Sequence, residues 1–296
     1  DNSLELNDGA LVRVYSVSGI QTSMQTDEQR AKFLDLRAQL FNQIHDPSVV
    51  MRFFMLRDAV AETTNYEFGQ PVLQKIYDKW RSQGMRIFVN NYYIVLSVRG
   101  ANARDKLNQY CNYIESILSA YKPVLLKNNN VDNIATFFGR ILSPVSKPVI
   151  KKCDENIANN VTVDNVDFYK NGIIEYISGD KRYYASAISF KMSPDFLDED
   201  FFDSVSTIQC EMICMNAFNI LKSNEIEMLM RQHKSTITDK TEESTIEQII
   251  EAQSSMDENI TGSQTLVNYY PLFMLFGKSE EELDEHISEF KKICAS

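Results

Sequence analysis

The chain has 296 residues and a mass of 34.1 kDa, which fits one large domain or two of ordinary size. Its 44% hydrophobic and 24% charged residues are typical of a globular protein. The counts of 10 Gly, 7 Pro, 17 Phe and 14 Tyr exclude collagen, coiled coil and wholesale disorder. The net charge of −11 argues against a broad nucleic-acid surface, because phosphate binding needs a dense basic patch.

A strand, a helix and a second strand are predicted first. Residues 10–17 have the apolar pattern of a strand. Thr26 and Gln29 form a capping box, in which each side chain accepts a hydrogen bond from the backbone of the other residue. The helix that follows has one apolar stripe: Phe33, Leu36, Leu40, Phe41 and Ile44. A second strand is predicted over residues 49–56.

The next helix is predicted to begin at Pro71 and to end near Gly84. Its apolar face consists of Val72, Leu73, Ile76, Tyr77 and Trp80. Residues 86–89 and 92–98 are predicted strands, with Asn90-Asn91 as a turn or bulge between them. The clearest helix of the chain follows over residues 103–121, with an apolar residue at every third or fourth position.

Residues 122–160 are predicted to connect two modules. They contain a short helix over residues 131–142 whose apolar side has four members: Ile134, Ala135, Phe138 and Ile141. Pro144 and Pro148 come next, and each disfavours helical backbone in the residue before it.

From residue 163 the pattern returns to strands. Asn171-Gly172 predicts a hairpin between strands over 163–169 and 173–177. The remaining predicted elements are strands at 182–192, 207–218 and 268–276, a short acidic helix at Phe201 and Phe202, and helices within 225–253 and at 280–293. The pattern of residues 207–218 also fits a strand that leads into a helix.

This order of elements predicts an α+β fold. We expect two sandwich-like modules, each with a mixed or antiparallel sheet and helices packed on one face. The predicted boundaries are a first α/β module over residues 1–121, a helical connection over 122–160 and a second, acidic α+β module over 161–296.

Charge divides the chain in the same way. Residues 1–150 carry 17 basic and 14 acidic side chains, a net of +3, and residues 151–296 carry 13 and 27, a net of −14. The run Asp198, Glu199, Asp200 beside Phe201 and Phe202 is therefore a candidate partner interface, in which the rings supply buried area and the acids steer association. The alternative is a solvated helix start with both rings in the core of the domain itself.

Gly277-Lys278-Ser279 resembles the end of a phosphate-binding loop. Such a loop needs a glycine five residues before Gly277, where this chain has Leu272 in an apolar predicted strand. The better interpretation is that Ser279 caps the last helix and that Glu282 completes a capping box. No other segment of the chain matches a phosphate-binding loop.

The five cysteines are an odd number in a long chain, which predicts a reducing compartment and no disulfide framework. Cys210 and Cys214 lack a second ligand pair for zinc, and we interpret them as buried thiols. No apolar stretch reaches the roughly 20 residues of a membrane-spanning helix. We therefore predict no catalytic, cofactor-binding or metal-binding residue in this chain, and a fold that needs neither metal nor nucleotide.

A series of short motifs carries a family resemblance through its order and spacing. The motifs are Gly19-Ile20, Arg57, 76–80, 86–99, 132–139, 183–194, 210–218, 230–232 and 269–283. Together they resemble the N-terminal region of the CagE/TrbE family of ATPases from bacterial type IV secretion and conjugation machines. The chain departs from the family pattern at Tyr269 and Tyr270, where a histidine is frequent, and no active-site residue is carried over.

The resemblance implies that a RecA-like motor domain, with the phosphate-binding loop, ATP and Mg²⁺, follows this segment in the full-length protein. The chain begins at Asp1 rather than Met, and we interpret it as a fragment or processed product. The resemblance further implies a cytoplasmic location at the periphery of the inner membrane, contacts with inner-membrane components of the machine, and self-association as hexamers.

Two functions are compatible with the sequence. The first is a non-catalytic docking and assembly domain of a secretion ATPase, which energises translocation of DNA or effector proteins, without direct nucleic-acid contact. The alternative is a stand-alone α+β enzyme or ligand-binding domain acting on a small metabolite. The alternative requires a deep apolar pocket with convergent polar groups.

Overall fold

A computed structural model describes residues 2–20, 25–60, 67–82, 87–128, 130–151, 164–190, 201–222, 225, 228 and 267–295. The strands are β1 (Leu4–Glu5), β2 (Leu11–Val17), β3 (Val49–Val60), β4 (Ile87–Val98), β5 (Val124–Leu125), β6 (Asn165–Phe168), β7 (Ile173–Ser178), β8 (Lys181–Ile188), β9 (Met212–Ile220) and β10 (Val267–Gly277). The helices are α1 (Asp27–Gln43), α2 (Pro71–Ser82), α3 (Ala103–Ile117), α4 (Asn133–Leu142), α5 (Phe201–Val205) and α6 (Glu280–Ala295).

The ten strands form one sheet in the order β1-β2-β4-β3-β9-β10-β8-β7-β6, and β5 also pairs with β2. The neighbours whose register is resolved run antiparallel; for example, Val14 of β2 lies opposite Val95 of β4, and Leu275 of β10 lies opposite Ser186 of β8. This architecture confirms the predicted α+β class.

Local capping explains where several helices begin. The Thr26 hydroxyl accepts a hydrogen bond from the Gln29 backbone, and the Gln29 side chain accepts one from the Thr26 backbone, so the predicted capping box is confirmed. The Asp132 carboxylate caps α4 by accepting a 2.9 Å hydrogen bond from the Ala135 backbone. Gly172 has a φ of +84°, which the predicted Asn-Gly hairpin requires.

The chain divides into two compact units, each built from separate segments. One unit comprises residues 1–53, 92–128 and 215–271, and the other comprises 54–91, 129–214 and 272–296. The module boundaries predicted from the sequence stay a prediction.

The core of the first unit lies between the sheet and the helices α1 and α3. Leu107 and Ile114 of α3 are fully buried, as the helical stripe predicts, and they belong to one cluster with Leu40 of α1 and Leu96 of β4. Each such side chain stabilises the fold by about 1.5–3 kcal/mol when it is fully buried.

The core of the second unit gathers around Phe273 of β10. Phe273 is 1% exposed and contacts the rings of Phe190, Phe201, Phe202 and Phe290. The thiols of Cys210 and Cys214 are buried in the same cluster, which confirms their interpretation as core side chains.

Two details of the sequence prediction are wrong. β4 continues through Asn90 and Asn91, so the predicted turn is wrong, while the alternative of a bulge stays a prediction. The two side chains form cross-strand hydrogen bonds with Arg57 and Asp58 of β3. In α4 the side chain that is buried is Phe137 rather than Phe138.

Candidate functional site

Helix α2 exposes the apolar face that its sequence predicts. The exposed fractions are 67% for Val72, 45% for Leu73 and 61% for Ile76. No residue between Pro71 and Lys79 is buried, and the side chain of Trp80 lies outside the described residues. An amphipathic helix of a globular domain normally turns this face to the core.

The start of α2 is held by its own side chains. The Gln74 side chain accepts a 2.9 Å hydrogen bond from the Phe68 backbone and donates one of 2.9 Å to Asp78. The Phe68 ring packs edge-on against Tyr77, with 5.5 Å between the ring centroids. Phe68 nevertheless remains 41% exposed. From here on, the α2 apolar face means the exposed apolar residues of this region: Phe68, just before the helix, and Val72, Leu73 and Ile76 on it.

Exposed apolar side chains are concentrated in the stretch of sequence that contains α2. Of the sixteen large apolar residues that are exposed in the described part of the chain, seven lie between residues 60 and 89. Besides the α2 apolar face they are Val60 at the end of β3 and Ile87 and Val89 at the start of β4. Contiguous apolar patches on a protein surface often mark contacts with another molecule.

A second feature is a cluster of four charged side chains from different elements, which we call the charged cluster: Asp58, Arg140, Lys147 and Glu211. The Lys147 ammonium lies 2.7 Å from one carboxylate oxygen of Asp58 and 2.7 Å from one of Glu211. Arg140 of α4 pairs with the other oxygen of Asp58. The cluster joins β3, α4 and the residue before β9, and the Glu211 carboxylate also accepts a 3.2 Å hydrogen bond from the Ala59 backbone of β3.

The backbone around Lys147 belongs to a loop after α4 that hydrogen bonds hold in place. Lys147 has a φ of +44°, in the left-handed region that costs a non-glycine residue about 1 kcal/mol or more. Asp164 holds this loop, since its carboxylate accepts hydrogen bonds from the Val145 and Ser146 backbones and its own backbone donates to the Ser143 hydroxyl. The loop therefore directs Lys147 toward the two carboxylates.

The electrostatics of the charged cluster favour the charged form of Lys147. Burial alone would lower the pKa of this ammonium, but the hydrogen bonds to Asp58 and Glu211 outweigh it and raise the pKa above its ordinary value. The cluster borders a small pocket of about 340 Å³, open solvent included. Among the groups that line the pocket, the four of the charged cluster are paired with one another, whereas Arg57 donates to Asn90 and lies over the Phe88 ring.

The predicted partner interface is only partly described. Asp198, Glu199 and Asp200 lie outside the described residues. Phe201 and Phe202 are half-buried, and their rings pack on Phe273 in the core of the second unit. This packing is the arrangement that the alternative interpretation gives to the rings, and the partner contact of the acidic run stays a prediction.

Gly277-Lys278-Ser279 serves the start of α6. The Ser279 hydroxyl accepts a 3.2 Å hydrogen bond from the Glu282 backbone, so Ser279 caps the helix as predicted. The Glu282 carboxylate accepts a 2.7 Å hydrogen bond from the Lys278 backbone, one residue before the cap. A Cβ atom on Gly277 would lie 2.6 Å from the Leu283 backbone nitrogen. Gly277 thus lets α6 approach β10 closely.

Nucleophilic chemistry at the Cys210 thiol requires a thiolate, and metal chemistry requires several ligating side chains close together. Burial raises the pKa of the Cys210 thiol to about 12, which leaves it without thiolate at neutral pH. No three His, Cys, Asp or Glu side chains of the described ranges lie close enough to hold a metal ion. Within the same ranges, no helix combines the length and apolarity that a membrane span requires.

Sequence reasoning identified the apolar face of α2 but not its exposure, and it missed the charged cluster. Asp58, Lys147 and Glu211 are separated by 89 and 64 positions along the chain. No local pattern connects residues that far apart. The only sequence signal near Lys147 is the proline on each side of its loop, at 144 and 148.

Comparison with known families decides what the chain is. Residues 116–295 match the profile of the CagE, TrbE, VirB family, component of type IV transporter system. The chain belongs to this family. Residues 2–106 match a second profile, that of the type IV secretion system ATPase VirB4/TrbE, N-terminal domain. A comparison with curated proteins gave no match.

Helix α2 and the charged cluster both lie within the segments that match these two profiles. Helix α2 and Asp58 lie in the part that matches the VirB4/TrbE N-terminal domain. Arg140, Lys147 and Glu211 lie in the part that matches the CagE/TrbE/VirB profile. The charged cluster therefore links residues of the two matched segments inside one compact unit.

Proposed function

We propose that this chain is the non-catalytic docking and assembly part of a type IV secretion ATPase. In this proposal a motor domain elsewhere in the full-length protein hydrolyses ATP with Mg²⁺, and hydrolysis drives translocation of DNA or effector proteins and assembly of the machine. The present chain holds the ATPase at the cytoplasmic side of the inner membrane through inner-membrane components. It also contacts other copies of itself, in a hexamer.

The observation that supports this proposal is the exposure of the α2 apolar face. Isolated helices shorter than about 12–15 residues are marginal in water, and most helices are stabilised by packing an apolar face. Helix α2 has 12 residues and leaves Val72 and Ile76 more than half exposed. A contact surface in the assembled machine accounts for both properties.

The non-catalytic part of the proposal is tested with nucleotide and chelator. We expect the purified chain to bind no ATP, to hydrolyse none, and to keep its melting temperature when Mg-ATP or a metal chelator is added. A ligand that binds the folded state at a hundred times its Kd adds about 2.7 kcal/mol and raises the melting temperature by several degrees. Micromolar ATP binding, turnover or such a shift would contradict the proposal.

The docking part is tested by co-purification from cells with a working secretion machine. We expect the tagged chain to co-purify with inner-membrane components and, when overproduced, to reduce transfer by occupying their docking sites. The triple variant V72S/L73S/I76S should lose both effects. D78N, a change at the opposite side of α2, is the control and should keep them. Failure of the wild-type chain to co-purify would contradict docking.

A further inference from the structure

We propose that α2 binds the surface of an anionic phospholipid bilayer, lying in the plane of the interface with its apolar face inserted. This inference rests on the proposed docking function and names the surface that α2 contacts. It follows from the arrangement of apolar and charged residues around the helix, from its length and from its net charge.

Apolar and charged residues are sorted around α2. At about 100° of rotation per residue, Val72, Leu73 and Ile76 lie on one side of the helix. Lys79 and Lys75 follow next to Val72, at the border of that side, and both are exposed. Asp78 lies roughly opposite. Lysines at such a border can keep their ammonium groups among lipid headgroups while their methylene chains lie against the apolar phase.

The charge of α2 contrasts with that of the whole chain. The helix has three basic residues, Lys75, Lys79 and Arg81, against one acid, Asp78, which gives a net of +2. The chain carries −11. An anionic surface therefore repels the chain on average but attracts this helix, which orients the protein with α2 toward the lipid.

The length of α2 fits a position in the plane of the bilayer. Twelve residues span about 18 Å, well short of the roughly 30 Å hydrocarbon core. The side chains of the apolar face supply the insertion energy and the lysines add electrostatic attraction, which is the combination found in helices bound at a membrane interface. A groove on another protein would bury the border as well, and two lysine ammonium groups there would need partners.

Vesicle flotation of the purified chain tests the proposal. We expect binding to vesicles of phosphatidylcholine mixed with phosphatidylglycerol, and little binding to phosphatidylcholine alone. Binding should weaken as salt is added, because salt screens the lysines. The K75Q/K79Q variant should bind about thirty-fold more weakly. V72S/I76S should bind at least about a hundred-fold more weakly, since it removes inserted apolar area. D78N is the matched control and should bind as well as wild type or better.

The chain's single tryptophan, Trp80, belongs to α2 and provides a second measurement. We expect its emission to shift to shorter wavelength with phosphatidylglycerol vesicles in the wild-type chain and in D78N, but not in V72S/I76S. Because the residues of α2 between 71 and 79 are not buried, we expect each variant to keep the wild-type circular dichroism and melting temperature.

Three outcomes overturn the proposal: no binding to phosphatidylglycerol vesicles, equal binding of wild type and both α2 variants, or an unshifted Trp80 emission. A different result would be that the wild-type chain does not bind vesicles, while V72S/L73S/I76S no longer co-purifies with inner-membrane components in detergent. In that case α2 docks on protein. The lipid proposal then fails and the docking function stands. If wild type binds vesicles but never co-purifies with the machine, the docking function is what fails.

Discussion

Asp46 has several charged and polar partners in the first unit. Its carboxylate accepts hydrogen bonds from the Ser48 backbone at 2.8 Å and from the Tyr110 hydroxyl at 2.9 Å, and it lies 2.8 Å from the Lys106 ammonium. Burial alone would raise the pKa of Asp46, but these contacts outweigh it and lower the pKa below its ordinary value. They tie the loop before β3 to α3.

We predict that Asp46→Asn destabilises the chain by about 2 kcal/mol at neutral pH, since hydrogen bonds to a charged group are worth about 1.5–3 kcal/mol. Because the pKa of Asp46 is lowered on folding, the charged carboxylate stabilises the fold above the pKa of an unfolded aspartate, and this stabilisation is lost as pH falls through the lowered pKa. In denaturant unfolding, the difference in unfolding free energy between wild type and Asp46→Asn should therefore shrink in acid. Asp35→Asn, on the exposed side of α1, is the control. A gap that stays constant down to low pH would contradict this account.

Lys147 gives the opposite pH dependence in the second unit. Its pKa is raised, so the ion pairs with Asp58 and Glu211 stabilise the fold fully below the pKa of an unfolded lysine, and this contribution is lost as pH rises through the raised value. We predict that Lys147→Met, which keeps an unbranched side chain of nearly the same length, costs about 1–3 kcal/mol at neutral pH, because it leaves two half-buried carboxylates with fewer partners.

Unfolding experiments at rising pH check the Lys147 prediction. The difference in unfolding free energy between wild type and Lys147→Met should become smaller in strong alkali. Lys170→Met, at the exposed tip of the β6–β7 hairpin, should show almost no difference at any pH. Equal stability of wild type and Lys147→Met at neutral pH would mean that desolvation of the three groups cancels their attraction.

At the scale of elements, the contact between β10 and α6 depends on Gly277. An added Cβ atom would come within 2.6 Å of the Leu283 nitrogen and 2.9 Å of the Ser279 carbonyl oxygen, both of them backbone atoms that can move only with the helix. We predict that Gly277→Ala destabilises the chain by about 1–3 kcal/mol, the usual range for overpacking. Thermal unfolding should show a melting temperature lower by several degrees. Gly69→Ala, with open space around its Cβ position, is the control, and an equal effect at both sites would contradict the close approach.

Elements that follow from short-range chemistry could be predicted from the sequence. The Thr26 capping box, the stripe of α3 and the Asn171-Gly172 hairpin depend on residues within one or two turns of each other, and all three are confirmed. The prediction is wrong where a distant partner decides. Asn90 and Asn91 are typical turn residues, but they stay in β4 because Arg57 and Asp58 engage their side chains.

At the scale of the whole molecule, the sequence predicted the α+β class and the family but not the candidate sites. The charged cluster needs the sheet order that brings β3 and β9 side by side, and no local pattern encodes that order. The sequence predicted the apolar face of α2 but not whether the core covers it, although such faces normally lie against the core. Its exposure depends on what the rest of the chain fails to cover, which only the packed structure reveals.

The uneven charge is also a property of the whole molecule. The net charges of +3 before residue 151 and −14 after it give the chain an acidic part that attracts basic surfaces over a Debye length of about 10 Å in 0.1 M salt. Such a field mainly affects how fast partners meet. The acidic run Asp198–Asp200, beside Phe201 and Phe202, is the candidate for this steering that the sequence predicts.

We predict that reversing this run, in the variant D198K/E199K/D200K, slows association with a basic partner of the secretion machine by about ten-fold or more at low salt and leaves the fold intact. The control D284K/E285K/E289K changes the net charge equally at exposed positions of α6, so it separates local steering from the overall charge. Stopped-flow association at several salt concentrations measures both. The slowing should be larger for the first variant and should vanish at high salt. An unchanged rate at low salt would mean that the run only keeps the surface hydrated.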